Sequence, residues 1–364
     1  MFKSCPEIRD DPSGATVRTI PKLIPVASPL KPLQLLPQDT ACQRVSRLGI
    51  PRGYRICRNP DCYSGPCIHG SCEETISGYI CHCPPGFDGT NCGSGDVLSD
   101  FVQSLWEADA NRLDGPDLVI NNQNYLDESA ELAPTKAGPS NSLFIYVNET
   151  KLTGTWPSFI ALWDNYFRLT GTMETMPARK RIEVDEFITQ VFATPILNLT
   201  YEFLVDNDLC DQKPCSLTKF RAHVRSIWFT QYSRSNGTTV DSSGFERTFV
   251  GEVANGVVSG YHNWLALYLD EKEGRITYHG YTAEREPNQM QVSFSLHDGT
   301  LEYEATSSVI FGPSPEFELA VYTVCFLLNP DGVSSFTLHG RTQRVQSESQ
   351  EDHVISSTHF EMET

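Results

Sequence analysis

The sequence predicts an α+β fold preceded by a small disulfide-rich β module, and three observations carry this. Seven of the twelve cysteines fall between Cys57 and Cys92, a density that core packing does not explain and that small domains use where they bury too little core. The stretches "DFVQSLWEADANRL" and "KFRAHVRSIWFTQYSR" carry apolar residues at helical spacing: Phe101, Leu105, Trp106, Ala108 and Leu113 in the first, Phe220, Val224, Ile227 and Trp228 in the second. Further on, "RTFVGEV", "RITYHGYTA", "MQVSFSLH", "ELAVYTVCFLL" and "SSFTLHG" are rich in β-branched and aromatic residues and separated by Gly, Asn and Asp turns, so they read as strands. Helices first and strands later is the α+β order.

The bulk properties bound the function. A chain of 364 residues divides into two or three units of about 150 residues each. With 39% hydrophobic and 10% aromatic residues it is globular, and no apolar run approaches the roughly 20 residues of a membrane span. Residues 1–92 carry 10 Lys and Arg against 8 Asp and Glu, and the remainder carries 18 against 38, so the larger part has a net charge of −20. That sign argues against a sequence-blind nucleic-acid binder, whose affinity comes from Lys and Arg displacing counterions, while leaving room for a local basic cleft. The cysteines and three glycosylation sequons, at Asn148, Asn198 and Asn236, point to an oxidising, extracellular destination. The N-terminus has charges and prolines where a signal peptide has an unbroken apolar core. The expectation is therefore a secreted protein whose start is missing or mis-assigned.

Residues 1–57 hold prolines at Pro6, Pro12, Pro21, Pro25, Pro29, Pro32, Pro37 and Pro51 with no hydrophobic period, which reads as a linker or tail without structure of its own. Cys42 and Cys57 can close a small loop there, and Cys5 has no obvious partner. The cysteine-rich module is expected over 58–93. "GSGDVLSD" then supplies a flexible joint and a helix start, with Asp96 or Ser99 as cap. The main domain is expected over 97–345, and the polar, acidic segment 346–364 is expected to be disordered. Cys210 and Cys215 bracket "DQKP" and can bridge across a turn, whereas Cys325, inside "YTVCFLL", reads as a buried apolar cysteine because no catalytic partner pattern accompanies it.

The module itself reads "CYSGPCIHGSCEETISGYICHCPPGFDGTNC". Its end, "GYICHCPPGFDGTNC", puts an aromatic residue and two glycines among the last three cysteines, as a short hairpin with a tight return needs. Spacing alone leaves the connectivity open. The pattern resembles an EGF-like module, and that resemblance implies Cys62 with Cys72, Cys67 with Cys81, and Cys83 with Cys92. Some such modules bind calcium just before the first cysteine; here "RNPDC" and Glu74 offer a poor set of oxygen ligands, so a spacer or adhesion module that meets a protein partner is the plainer reading.

From chemistry alone, His262 with Glu246 and Glu252 upstream is the one tight cluster of titratable groups with unusual neighbours. A lone histidine between Tyr261 and Asn263, close to Trp264, is more often a packed residue than a catalyst. Two carboxylates at this spacing on a strand also describe a solvated edge. Five blocks shift the balance: "LWEADANRL", "IWFTQYSR", "SGFERTFVGE", "SGYHNWLALYLDEKEG" and "SSVIFGPSPEFELAVYTVCFLL". In this order and spacing they resemble the EndoU family of poly(U)-preferring endoribonucleases over residues 97 to about 345.

The resemblance implies a two-lobed α+β domain around a cleft and metal-stimulated cleavage of single-stranded, U-rich RNA, usually with manganese, leaving a 2′,3′-cyclic phosphate. Such chemistry takes a base for the 2′-OH, an acid for the leaving 5′-oxygen and a cation for the phosphorane, and the family supplies two histidines and a lysine. The second histidine corresponds to His262. The first lies in Gly-Phe-Glu-His, where this chain reads "GFER", so Arg247 stands in its place. The lysine lies eight residues before the glycine of the last block, and counting back from Gly312 gives Glu304; no lysine occurs after Lys272. The resemblance also marks Ser307 and Tyr322 as supporting residues and Glu246 and Glu252 as carboxylates tied to activity or metal.

An arginine stays protonated and cannot act as base, although it can hold a phosphate. Glu304 places an anion where the transition state needs a cation, and one such donor is worth about 3–4 kcal/mol. Cleavage is therefore expected to be lost or weakened, leaving a monomeric protein that binds RNA or another partner. One alternative is an active nuclease in which His279 or His297 substitutes for the lost base. The other is an adhesion or matrix protein in which both domains are structural.

Overall fold

A computed structural model describes residues 96–122, 125–126, 142–210, 215–234, 239–286, 288–350 and 354–362. In the cysteine-rich part it describes 62, 66–67, 71–75, 78–83 and 90–92, with a short ladder at 43–44 and 55–56. The chain divides into two compact units, the second of which holds almost everything from Ser94 onward.

In the first unit, β1 (Gln43–Arg44) pairs antiparallel with β2 (Arg55–Ile56), so the stretch expected to lack structure contains at least this ladder. The rest of the proline-rich segment, with Cys5, Cys42 and Cys57, lies outside the described residues, as does most of the "RNPDC" stretch. Next, β3 (Ser71–Glu74) and β4 (Tyr79–His82) form a hairpin with Cys72 opposite Cys81. The stretch 84–89, where the glycine pattern suggested a tight return, lies outside the described residues. Disulfides join Cys62 to Cys72, Cys67 to Cys81 and Cys83 to Cys92, the pairing that the EGF-like resemblance implies. With so little apolar material to bury, covalent closure of these loops is what restricts the unfolded chain.

The second unit begins with α1 (Asp96–Ala108), β5 (Leu118–Ile120), β6 (Phe144–Val147), α2 (Trp156–Trp163), α3 (Ala178–Val191), α4 (Pro195–Asp206) and α5 (Leu217–Phe229). Helix α5 is the one its spacing predicted: Ser216 caps it by accepting from the Lys219 amide, and Phe220, Val224, Ile227 and Trp228 are all buried. After β7 (Gln231–Tyr232) and β8 (Ser242–Ser243), residues Glu246–Val250 form a π-helical turn where a strand was expected. Phe245 and Phe249 decide this. Their rings stand 5.0 Å apart, and Phe245 also meets Phe159, Phe187 and Phe229 at 5.7, 5.7 and 4.9 Å. Strand alternation keeps successive same-face side chains two apart, and only a helical turn brings residues four apart onto one aromatic cluster.

β9 (Glu252–Ala254) and β10 (Val257–Ser259) form a hairpin, followed by α6 (Trp264–Lys272). Then β11 (Ile276–Arg285), β12 (Gln289–Asp298) and β13 (Leu301–Ile310) make one antiparallel sheet, with an unbroken register between the last two from Gln289↔Ile310 to Asp298↔Leu301. The segment "ELAVYTVCFLL", expected as a strand, is helix α7 (Pro315–Leu328). Ser314 caps it, Pro315 sits in its first turn with Glu316 and Glu318, and nearly every residue of it is buried, which erases the amphipathic period. Cys325 is a free, buried cysteine within it, while Cys210 and Cys215 are bridged.

A second antiparallel sheet closes the unit: β14 (Val333–Leu338), β15 (Arg341–Gln350) and β16 (Val354–Phe360). The segment expected to be disordered from 346 onward is therefore built into the fold over 346–350 and 354–362. Its serines, threonine and acidic residues suggested a solvated tail, but Val354, Ile355, Phe360 and Met362 are all buried. Helix α7 packs on all three strands of this sheet, and β13 of the first sheet meets β16 of the second. The candidate site lies at that seam.

Candidate active site

The segment "SGYHNW" reaches the seam through a tight crossing. Gly260 has φ +76° and would, with a Cβ, meet the Arg247 carbonyl oxygen at 1.7 Å. Gly251 has φ +84°, and a Cβ there would lie 2.2 Å from the Tyr261 ring. Both positions need glycine, because the two chain segments touch where a side chain would stand. The crossing is then pinned by backbone: the Tyr261 amide donates to the Arg247 carbonyl at 3.1 Å and the His262 amide to Thr248 at 2.8 Å.

Each residue after Tyr261 has a distinct tie. The Tyr261 hydroxyl donates to the buried Asp270 carboxylate, which Arg168 also holds at 2.5 Å. Asn263 caps α6, its Oδ1 accepting from Leu265 and Ala266, while its Nδ2 donates to Glu318 at 2.6 Å. The Trp264 indole donates to the Pro313 carbonyl at 3.0 Å. A motif that looked like one histidine with aromatic company is thus a clamp between α6, α7 and the first sheet.

His262 is 8% exposed. Its Nδ1 lies 3.0 Å from the Ser308 carbonyl oxygen and 3.0 Å from Ser307 Oγ. A carbonyl can only accept, so Nδ1 carries the proton and Nε2 keeps its lone pair. Ser307 in turn donates to the Tyr261 carbonyl at 2.9 Å, which leaves its oxygen free to receive Nδ1–H. The imidazole is held neutral. Burial, the neighbouring His359 and the Arg247 charge all push its pKa well below the ordinary histidine value, against the Ser308 carbonyl.

His359, on β16, is the residue the sequence reading passed over. Its ring lies parallel to that of His262, centroids 3.9 Å apart and planes 7° apart. Burial pushes its pKa down to about 4, with Arg247 adding to the effect and Glu348 and Glu361 opposing it. Arg247 completes the group. Its Nη1 donates to Ser356 Oγ at 2.5 Å and pairs with Glu348 at 2.9 Å. Ser356 is in position because the register slips there, Glu348 facing Ser357 and Ser349 facing Ile355, and such a bulge re-aims a side chain.

The other expected positions fall into two groups. Tyr322 is buried and its hydroxyl donates to Glu318 at 3.2 Å, so it supports Asn263 rather than touching His262. Glu304 lies on β13 three residues before Ser307, on the opposite face of an unbroken strand. Its carboxylate accepts from Ser295 at 2.9 Å and lies 3.6 Å from His279 Nε2. His297 bonds Thr277 at 2.8 Å. The structure thus brings His262, Arg247 and Ser307 together and adds His359; it places Glu304, His279 and His297 in a separate cluster on the first sheet.

Glu246 and Glu252 do not fit the metal expected of them. Glu252 is ion-paired with Arg234. Both oxygens of Glu246 are buried without a hydrogen-bond partner among the described residues, and burial, with Glu252 next, pushes its pKa well above the usual carboxylate range. A protonated carboxyl beside one neutralised by arginine does not present the anionic oxygens that a hard cation takes. Among the described residues no group of three or more His, Cys, Asp or Glu is placed to hold an ion.

Of the sequons, Asn198 is exposed on α4 and Asn148 is partly buried, its amide donating to Asp117 at 2.6 Å; Asn236 lies outside the described residues. Among the described residues no helix is long and apolar enough to cross a membrane.

The architecture and the seam define an EndoU-type nuclease fold behind an EGF-like module. Residues 97–360 match the family Endoribonuclease XendoU, and 62–91 match the EGF-like domain. The chain belongs to the XendoU endoribonuclease family. It is similar to Uridylate-specific endoribonuclease B of Danio rerio, 36% identical over 244 residues, which cover 64% of this chain and 84% of the relative. It is similar also to Poly(U)-specific endoribonuclease-B of Xenopus laevis, 36% identical over 241 residues, covering 63% and 81%. A solved structure of XendoU, a splicing-independent snoRNA-processing endoribonuclease, superposes with a TM-score of 0.62 at 30% identity, covering 73% of this chain and 97% of that one.

Proposed function

We propose that this chain binds single-stranded, uridylate-containing RNA at the seam between its two sheets, and that its cleavage at neutral pH is weak. The observation that carries the reading is the Arg247 guanidinium beside a neutral His262 whose Nε2 is free to act as base. A guanidinium holds a phosphate well and accepts no proton. The family's relatives act on uridylates, which supports RNA as the ligand class. The protein is read as secreted, glycosylated and monomeric, with the EGF-like module as its contact for a protein partner.

The test is a labelled uridine oligonucleotide mixed with the purified chain at pH 7, with and without manganese. Binding that weakens with salt, with slow cleavage or none, is the expected result. Rapid cleavage at pH 7 would refute the weakened centre, and no binding at low salt would refute the RNA reading.

A further inference from the structure

Outside the residues that sequence comparison assigns, the seam holds a second group able to move a proton, His359. We propose that His359 is a catalytic residue of this chain, paired with His262 as acid and base for RNA cleavage in place of the histidine that the family carries at position 247. The inference rests on RNA being the ligand of the seam.

The geometry provides complementary parts. The Ser308 carbonyl fixes the proton of His262 on Nδ1, so Nε2 is set as the base. His359 comes from β16 of the second sheet, while His262 lies in the segment between β10 and α6, and the two rings are 3.9 Å apart. Two imidazolium rings at that separation repel, so at most one ring of the pair is protonated to the cation. One ring is then acid while the other is base, as transesterification requires. Arg247, anchored to Ser356 and Glu348, supplies the fixed cation for the phosphoryl oxygens.

The step balances without any co-reactant. His262 Nε2 takes the proton of the ribose 2′-OH, the O2′–P bond forms and the P–O5′ bond breaks. O5′ takes a proton from the His359 imidazolium, leaving a 2′,3′-cyclic phosphate and a free 5′-OH. The pair ends with its proton on the other ring, and exchange with water restores the starting state.

A pH signature follows from the groups that face the pair. Arg247 disfavours the charged form of both rings, while Glu348 and Glu361 favour it on His359. Glu348 is itself paired with Arg247, and Glu361 with Arg344. With His359 pushed down to about 4, the fraction carrying the acid proton grows about tenfold for each pH unit between 7 and 5.

The experiment uses the full chain and a fluorogenic oligonucleotide with a single cleavable uridine, at pH 7 and pH 5. A 2′-deoxyuridine version, which cannot cleave, measures binding by anisotropy. Cleavage is expected to rise about 100-fold from pH 7 to pH 5, with cyclic phosphate ends seen by mass spectrometry. His359→Asn, His359→Gln and His262→Asn should each lose about 100-fold or more at pH 5, the double variant losing no more than the single ones. Binding of the deoxy analogue should stay within about threefold, and His297→Gln should cleave as the parent does. Melting curves show which variants fold, and either folded His359 variant suffices. A folded His359 variant with parental cleavage overturns the proposal, as does a parent that binds the analogue yet does not cleave at pH 5. In both of those cases the RNA-binding reading stands, whereas failure to bind the analogue at all overturns both.

Discussion

Gly260 and the carbonyl oxygen of Arg247 approach so closely that a Cβ on the glycine would lie 1.7 Å from the oxygen. The contact is what lets two segments remote in sequence present Arg247 and His262 together. Gly260→Ala adds both a clash and a left-handed backbone penalty, so the seam must open. A loss of more than about 2 kcal/mol in urea unfolding is expected, with the His262 ring resonances shifted in the NMR spectrum. A near-neutral change would mean that the crossing relaxes freely and does not define the site.

Restoring the family's side chains tests the assignments made by resemblance. Arg247→His returns a proton acceptor, and Glu304→Lys replaces an anion with a cation. The double variant is expected to cleave a uridine oligonucleotide about 100-fold or more faster than the parent at pH 7. The single Glu304→Lys change is the more informative. Glu304 accepts from Ser295 and neighbours His279, so a lysine there must swing away from that cluster to act. Equal rates for Glu304→Lys and the parent would place the lost lysine elsewhere.

The strongly periodic parts of the chain were legible. Helix α5, the strands β11, β12 and β14 and the cysteine module follow from spacing, and the place of His262 follows from the resemblance to the EndoU family. Two failures share one cause. Phe245 and Phe249, which flank and enter the π turn, and nearly all of α7 are buried on every side, and burial on every side removes the period by which helix and strand are told apart. The Ser-Pro-Glu start of α7 was the signal that would have corrected the second. His359 was missed for another reason. Its strand has a polar sequence, "VISSTHF", because its serines serve Arg247 and the bulge, and polarity at a site looks like polarity of a tail.

The stacked pair makes the fold acid-sensitive, and the sign is fixed by both shifts. Each histidine has its folded pKa depressed, so the unfolded chain takes protons first as pH falls below about 6.5. Stability is therefore full at neutral pH and declines as pH falls from about 6.5 toward 4. His359→Phe keeps the flat ring and removes one titration. The stability lost between pH 7 and pH 4 should shrink by roughly 2–3 kcal/mol in the variant, read from urea midpoints at both pH values. An unchanged pH dependence would mean that His359 is solvated in the folded protein.

The buried glutamates predict the opposite slope and separate from each other by their partners. Glu246 has its folded pKa raised, so the folded protein holds a proton that the unfolded chain releases above the ordinary glutamate pKa of 4.5. Its contribution is thus greatest at low pH and is lost as pH rises toward the folded value. Glu246→Gln removes that dependence, and its melting temperature should gain on the parent's at pH 8 but not at pH 4. Glu252→Gln is expected to behave differently, because it leaves the partly buried Arg234 without its carboxylate. A loss of roughly 3 kcal/mol is expected there at pH 7, and two glutamates acting as a shared metal site would instead show matching losses that added manganese recovers in the parent alone.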